Sequence, residues 1–243
     1  HVDSSAASDV YKRQVYRRDV EKGRLSQEKV DKILSNYSTS THLKDLSDKD
    51  MIIEAVFEEL EVKKSVFSQL NDIAKEGAVL ASNTSYLDID KIASATDRVG
   101  DVIGLHFFSP ANIMRLLEIV VPTNVKDDVV ATGFQLAKIL KKVPVRAGNC
   151  DGFIGNRVLE NYAKAANYMM EDGTSPYDID KAIVEFGYPM GPFQMFDLAG
   201  GDIGWADRKR KAAFRSNEER YVSIADRILS LIHISEPTRR LNI

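Results

Sequence analysis

The chain has 243 residues, 33 Lys+Arg against 36 Asp+Glu for a formal net charge of −3, 44% hydrophobic and 8% aromatic residues, and a single cysteine. That length and apolar content suffice for a sizeable core and exclude a disordered chain, while the near-balanced charge leaves no basic stripe able to neutralise several phosphates, so nucleic acid is not an expected partner. Cys150 alone forms neither an internal disulfide nor a thiolate metal cluster, which points to a reducing compartment and to no metal site, and no window reaches the ~18 uncharged apolar residues that a membrane helix needs.

Residues 1–14 and 230–243 share no periodicity with their neighbours and lack the apolar core of a signal peptide. Both resemble in-frame translations of sequencing-adapter DNA, so the natural part is expected to be 15–229, a fragment cut at both ends. His1 and His233 go with the tails, leaving His42 and His106 as candidate bases. Residues 15–23 read as the end of a helix already under way.

Short β-branched runs then alternate with helical patterns. Met51–Val56 reads as a buried strand, followed by a helix over Glu59–Ala74 with Leu60, Val62, Val66, Phe67, Leu70 and Ile73 near one face. Ala78–Ala81, Val102–Phe107 and Leu116–Val121 read as three further strands, Asp127–Leu140 as a helix, and Val143–Val145 as the last strand. This alternation predicts an α/β layered sheet, largely parallel where helices cross over. The seven residues Phe108–Met114 are too few for a helical crossover, so the strands they join are expected to be antiparallel.

After Val145 the texture changes to helical segments punctuated by glycine and proline, and the boundary is expected at Ala147–Cys150. Asp151 is expected to cap a helix running to about Glu171 with Ile154, Val158, Leu159, Tyr162, Ala166 and Met169 inside. Pro176 starts a second helix ending near Phe186-Gly187, and Gly191-Pro192 a third.

Among 14 glycines none begins the G-x-G-x-x-G that follows the first strand of a dinucleotide-binding sheet. Either the sheet binds no dinucleotide or that loop lies upstream of the cut. The most informative stretch is Gly104-Leu-His-Phe-Phe-Ser-Pro110, with Glu118 twelve residues after the histidine. A lone histidine at a strand end is more often structural than catalytic. If the chain reverses about Asn112, however, His106 and Glu118 come opposite each other, because 106 + 118 is twice 112. Glu118 interrupts an apolar strand, where a carboxylate costs several kcal/mol unless paired. Such a carboxylate fixes the imidazole tautomer and leaves the other ring nitrogen as a base. Ser82-Asn-Thr-Ser85 follows a strand and reads as either a hydrogen-bonded turn or a ligand loop. Asn156, in Asp151-Gly-Phe-Ile-Gly-Asn-Arg157, is either a surface amide or a ligand contact.

These motifs, with Phe186-Gly-Tyr-Pro-Met-Gly-Pro192, resemble in order and spacing the L-3-hydroxyacyl-CoA dehydrogenases of fatty-acid β-oxidation, over about 15–229. Asp197–Trp205 with Arg208-Lys209 looks most like the dehydrogenase part of bifunctional enoyl-CoA hydratase/dehydrogenase proteins. The resemblance implies a truncated Rossmann-like NAD-binding domain at 15–147 and an all-helical domain at 148–229. It implies that His106 takes the 3-hydroxyl proton, that Glu118 orients it, and that Ser85 and Asn156 position the substrate's oxygens. It also implies cofactor contacts by Val56, Phe57, Glu58, Lys63, Ser85 and Ser109, with Glu58 and Lys63 on the ribose and nicotinamide side. Ser109 stands where many members carry Asn, which implies a shifted cofactor contact.

The implied cofactor is NAD and the implied substrate an acyl-CoA lying between Ser85 and Asn156, with Phe107, Phe108, Met190 and Phe193 as candidate walls for the acyl chain. Implied partners are a second copy or further domains of a larger multifunctional chain. The implied compartment is the cytoplasm in a bacterium, and the peroxisome or mitochondrion in a eukaryote. Other readings stay open: an inactive fragment, a non-enzymatic relative of the same fold, or an enzyme for another 3-hydroxy acid.

Overall fold

A computed structural model describes residues 13–227 except Val15, Gly200, Gly201 and Asn217. The expected foreign tails, 1–14 and 230–243, lie outside the described residues apart from Arg13 and Gln14. Backbone packing divides the chain into a sheet unit, residues 1–107 with 116–150, and a helical unit, residues 108–115 with 151–243.

In the sheet unit, residues 16–21 are helical, and helix α1 (Gln27–Leu34) starts where the Ser26 hydroxyl accepts from Lys29 N at 3.3 Å. The five strands are β1 (Met51–Glu54), β2 (Val79–Ser82), β3 (Val102–Phe107), β4 (Leu116–Val121) and β5 (Val143–Gly148). They lie side by side in sequence order. β1, β2 and β3 are parallel, β4 is antiparallel to β3, and β5 is parallel to β4. The helices are α2 (Leu60–Ile73), the short α3 (Ile89–Ala93) and α4 (Asp127–Ile139). β1 stops two residues before the expected Val56, because the Glu54 carboxylate accepts from Val56 N at 2.6 Å and turns the chain. Its burial alternates instead of being continuous, with Ile53 exposed.

Because side chains alternate along a strand, the register sorts the sheet into two unlike faces. Val79, Ala81, Ile103, Leu105, Leu117 and Ile119 form an apolar cluster with Val129 and Ala137 of α4. Gly133 lets α4 approach, since a Cβ there would stand 3.2 Å from Ile119 and 3.5 Å from Ile103 and Leu105. The opposite face carries Glu54 beside Ser82, Ser82 beside Gly104, and then His106 beside Glu118. Gly104 is required there: a Cβ would fall 2.6 Å from that of Val120 and 3.1 Å from Ile89 of α3.

α2 buries Phe67 and Leu70 as expected, but its third buried position is Lys63, whereas Val62 and Val66 are only half-buried. Positions 63, 67 and 70 form the i, i+4, i+7 stripe, so the buried face is turned from the expected one by a charged member.

The helical unit contains α5 (Gly155–Glu171), α6 (Pro176–Phe186), α7 (Pro192–Ala199) and α8 (Asp202–Lys211), and no strand among its described residues. Asp151 does not cap α5. The N-cap is Ile154, without a side-chain bond, and Asp151 instead accepts from Arg210 at 2.7 Å. The expected inner face is also corrected: Ala166 is buried, but Ile154, Val158 and Met169 are exposed.

The Phe186–Pro192 stretch has a mechanical reading. Gly187, at φ 118°, ends α6 in the left-handed conformation that suits glycine, and its N–H bonds back to Ile183 and Val184. The buried Asp180 carboxylate then accepts from Phe193 N and Gln194 N, both at 2.9 Å, at the start of α7. Gly191 lets that carboxylate approach, for a Cβ there would lie 2.3 Å from Asp180 Oδ1 and 2.4 Å from its Cα.

Candidate active site

The antiparallel register places His106 directly opposite Glu118. His106 Nδ1 and Glu118 Oε2 are 2.6 Å apart, with the histidine 4% and the glutamate 0% exposed. A carboxylate so deep needs a partner to offset its lost hydration, and the imidazole supplies one. With Nδ1 committed to the carboxylate, the neutral tautomer carries its proton there and Nε2 is the nitrogen that can accept another. The other candidate base, His42, is exposed and has no carboxylate partner among the described residues.

A second polar assembly sits at the carboxyl ends of β1 and β2. Glu54 Oε1 accepts from Lys63 Nζ at 2.7 Å and Glu54 Oε2 from the Ser82 hydroxyl at 2.7 Å. Lys63 is 1% exposed, and also reaches the Val56 carbonyl at 3.3 Å and Glu58 Oε2 at 3.4 Å. Glu58, whose side chain keeps 34% of its surface exposed, accepts through its other oxygen from the Thr84 hydroxyl, from Ser85 N at 2.7 Å and from Tyr86 N at 3.0 Å. Asn83 Oδ1 accepts from Phe107 N at 2.9 Å, fastening this loop to the strand residue after His106. The Ser82–Ser85 loop is therefore both a hydrogen-bonded turn and a shelf pinned to the histidine strand.

The structure brings together His106 with Glu118, and Glu58 and Lys63 with the loop that bears Ser85. Val56 is exposed and Phe57 is 86% exposed, between β1 and α2. Ser109 and Asn156 belong to the helical unit, Ser109 exposed and Asn156 half-buried in the first turn of α5. Gly152, at φ 70°, lets the preceding loop fold against that turn, where a Cβ would lie 3.3 Å from that of Asn156. Of the candidate acyl-chain residues, Phe107 packs on the apolar sheet cluster and Phe193 meets Phe196 edge-on at 6.3 Å. Sequence reasoning missed the Glu54 hub. Two signals pointed to it: an acidic residue closing an apolar strand, as Glu118 interrupts one, and Lys63 in register with Phe67 and Leu70.

The part-exposed Glu58 carboxylate and the exposed residues Val56 and Phe57 stand at the carboxyl end of a parallel strand, where sheets of this type bind nucleotides, and so suit a dinucleotide. A carboxylate there suits a ribose hydroxyl. Lys63, 1% exposed, stands behind Glu58 with Nζ 3.4 Å from Glu58 Oε2.

Residues 3–150 match the family model described as 3-hydroxyacyl-CoA dehydrogenase, NAD binding domain, and residues 152–240 match the C-terminal domain of the same family. The chain is 44% identical over 210 residues to the peroxisomal bifunctional enzyme of Cavia porcellus, which covers 82% of this chain and 29% of that protein. It thus spans under a third of the length of that curated relative. Among solved structures it resembles M. tuberculosis FadB2, with a TM-score of 0.87, 32% identity and coverage of 93% of this chain and 81% of the other. It also resembles the (S)-3-hydroxybutyryl-CoA dehydrogenase PaaH1 of Ralstonia eutropha, with a TM-score of 0.82, 28% identity and the same coverages.

Proposed function

Because the chain belongs to the 3-hydroxyacyl-CoA dehydrogenase family, we propose that the protein carrying it oxidises L-3-hydroxyacyl-CoA to 3-oxoacyl-CoA with NAD, as a step of fatty-acid β-oxidation. The observation that carries this reading is the buried His106–Glu118 pair at 2.6 Å. When bound, NAD supplies the acceptor for the hydride that leaves C3. His106 Nε2 takes the 3-hydroxyl proton, and Glu118 orients the ring and stabilises the imidazolium that results. Ser85 and Asn156 are assigned to the substrate's oxygens, and Val56, Phe57, Glu58 and Ser109 to the cofactor, with Lys63 holding Glu58. Further domains of a longer multifunctional chain are the proposed partners, and a peroxisomal setting is proposed for a eukaryotic source.

The test is NADH formation from an L-3-hydroxyacyl-CoA, followed at 340 nm. The 243 residues contain no G-x-G-x-x-G, so the chain alone is expected to turn over little. Joined at its N-terminal side to a β-α-β segment bearing that loop, the completed chain is expected to produce NADH. A completed chain that binds NADH but leaves every L-3-hydroxyacyl-CoA unreacted would overturn the proposal.

A further inference from the structure

We propose that Glu54 is a positioning residue for the reaction: through Lys63 and through Ser82 it fixes the loop that presents Ser85. The proposal rests on the dehydrogenase reading above and adds a residue that touches neither substrate nor cofactor.

Two routes run from this carboxylate to the same backbone. One oxygen holds Lys63 Nζ at 2.7 Å, and Lys63 in turn reaches Glu58 Oε2 at 3.4 Å. The other oxygen of Glu58 takes the Thr84 hydroxyl and the N–H groups of Ser85 and Tyr86. On the second route Glu54 Oε2 holds the Ser82 hydroxyl at 2.7 Å, and Ser82 Oγ accepts from Thr84 N at 3.3 Å. The Glu54 carbonyl also accepts from Asn83 N at 2.8 Å. One buried side chain thus reaches Ser82, Thr84 and Ser85 by two routes, while the backbone carbonyl of the same residue holds Asn83.

Stability does not account for this arrangement. The side chains of Glu54 and Lys63 are each 1% exposed, and burying two charges costs hydration that their attraction only partly offsets. Apolar residues of similar volume commonly hold a fold as well or better. What an ion pair adds is direction: Lys63 has three acceptors in fixed places, and a bond network of this kind admits one loop geometry where a greasy contact would admit several. A hydroxyl that must meet a substrate oxygen needs that uniqueness, since small displacements cost rate.

The test compares Glu54→Gln with the paired replacement Glu54→Leu/Lys63→Met. Hydrogen exchange of the peptide spanning residues 82–87, measured on the 243-residue chain, is expected to accelerate at least tenfold in both, with β3, β4 and α4 unchanged. The paired replacement is expected to keep the wild-type melting temperature. In the completed chain, kcat is expected to fall at least tenfold with KM changed less than threefold. Wild-type exchange at 82–87 in both variants would overturn the proposal. Exchange raised throughout the sheet in both would overturn it as well, since the pair would then hold the fold and not the loop. Should the unmodified completed chain show no turnover, the dehydrogenase reading fails, while the exchange comparison still decides this one.

Discussion

The two units of the molecule treat polar groups in opposite ways. The sheet unit hides them: Glu54, Lys63, Ser82, His106 and Glu118 are all buried, and the residues that carry strand chemistry share one face of the sheet. The helical unit, buried Asp180 apart, leaves most of its described charges nearer the surface, in pairs such as Arg210–Asp151, Lys164–Glu219 and Arg220–Asp172. Among its described residues large apolar side chains are exposed more often than buried, with Tyr177, Phe186 and Phe214 each more than four-fifths exposed. A buried polar network is demanding, because each member must be satisfied, and it therefore defines one geometry. Surface pairs are forgiving and define little. Precise chemistry is thus expected to depend on the sheet unit residue by residue, whereas the helical unit should tolerate the loss of most of its charges.

The largest expected effect breaks the sheet unit's pair. In the completed chain, His106→Gln removes the proton acceptor, and kcat is expected to fall 10²- to 10⁴-fold. Glu118→Gln keeps the shape and removes the charge beside the imidazolium, so steady-state kinetics should show kcat falling more than KM rises. Normal turnover after either change would make the buried pair structural and erase the contrast between the units.

The next effect lies in the helical unit and is steric. Gly191→Ala would drive a Cβ to within 2.4 Å of the Asp180 backbone. That contact cannot be relieved by moving a side-chain end, and a stability loss of about 1–3 kcal/mol is expected by chemical denaturation. Asp180→Ala, which frees the N–H groups of Phe193 and Gln194, should cost about 0.5–2 kcal/mol. If both were silent, the buried Asp180 carboxylate would be no anchor for this unit at all.

A smaller effect of opposite sign is expected from Tyr162. Its hydroxyl is buried without a hydrogen-bond partner among the described residues, its ring stacks on Tyr188 at 5.9 Å, and burial pushes its pKa up. Tyr162→Phe keeps the stack and removes the unsatisfied group, so a gain of about 1 kcal/mol in unfolding free energy is expected. A loss would show that the helical unit too satisfies its polar groups from within.

The same contrast explains what was legible in the sequence. The β3–β4 hairpin and its His106–Glu118 pair followed from a constant sum of residue numbers, because register is a local property of a short connection. Lys63, left off the buried face of its helix, and Asp151, read as a helix cap, share a common reason. Each is a charged residue whose place depends on a partner distant along the chain, Glu54 nine residues before one and Arg210 fifty-nine after the other. Periodicity reports which face a position occupies and treats a charge as a surface marker, so it cannot register a lysine that is buried because a carboxylate awaits it. Gly191 shows the same limit from the other side: its need for a missing Cβ comes from Asp180, on the preceding helix.

The smallest expected effect concerns acid. In the helical unit, the hydrogen bond from Arg220 holds the Asp172 carboxyl below its ordinary 3.8, and the bond from Lys164 holds Glu219 below its ordinary 4.5. A carboxylate with a lowered folded-state pKa contributes stability that is full above the unfolded-state value and is lost as pH falls through the folded-state value. Both carboxylates are solvent-exposed, so the contribution is small and screened by salt. Arg220→Ala should therefore lower Tm slightly at about pH 6, with the difference shrinking below about pH 4 and in about 1 M NaCl, where the Debye length is near 3 Å. Arg220 also lies over the Tyr168 ring at 4.9 Å. Protonating the carboxylates leaves that contact intact. A difference in Tm that survives acid would assign the residue's role to the aromatic contact, and the helical unit's surface pairs would then be worth even less than the comparison with the sheet unit implies.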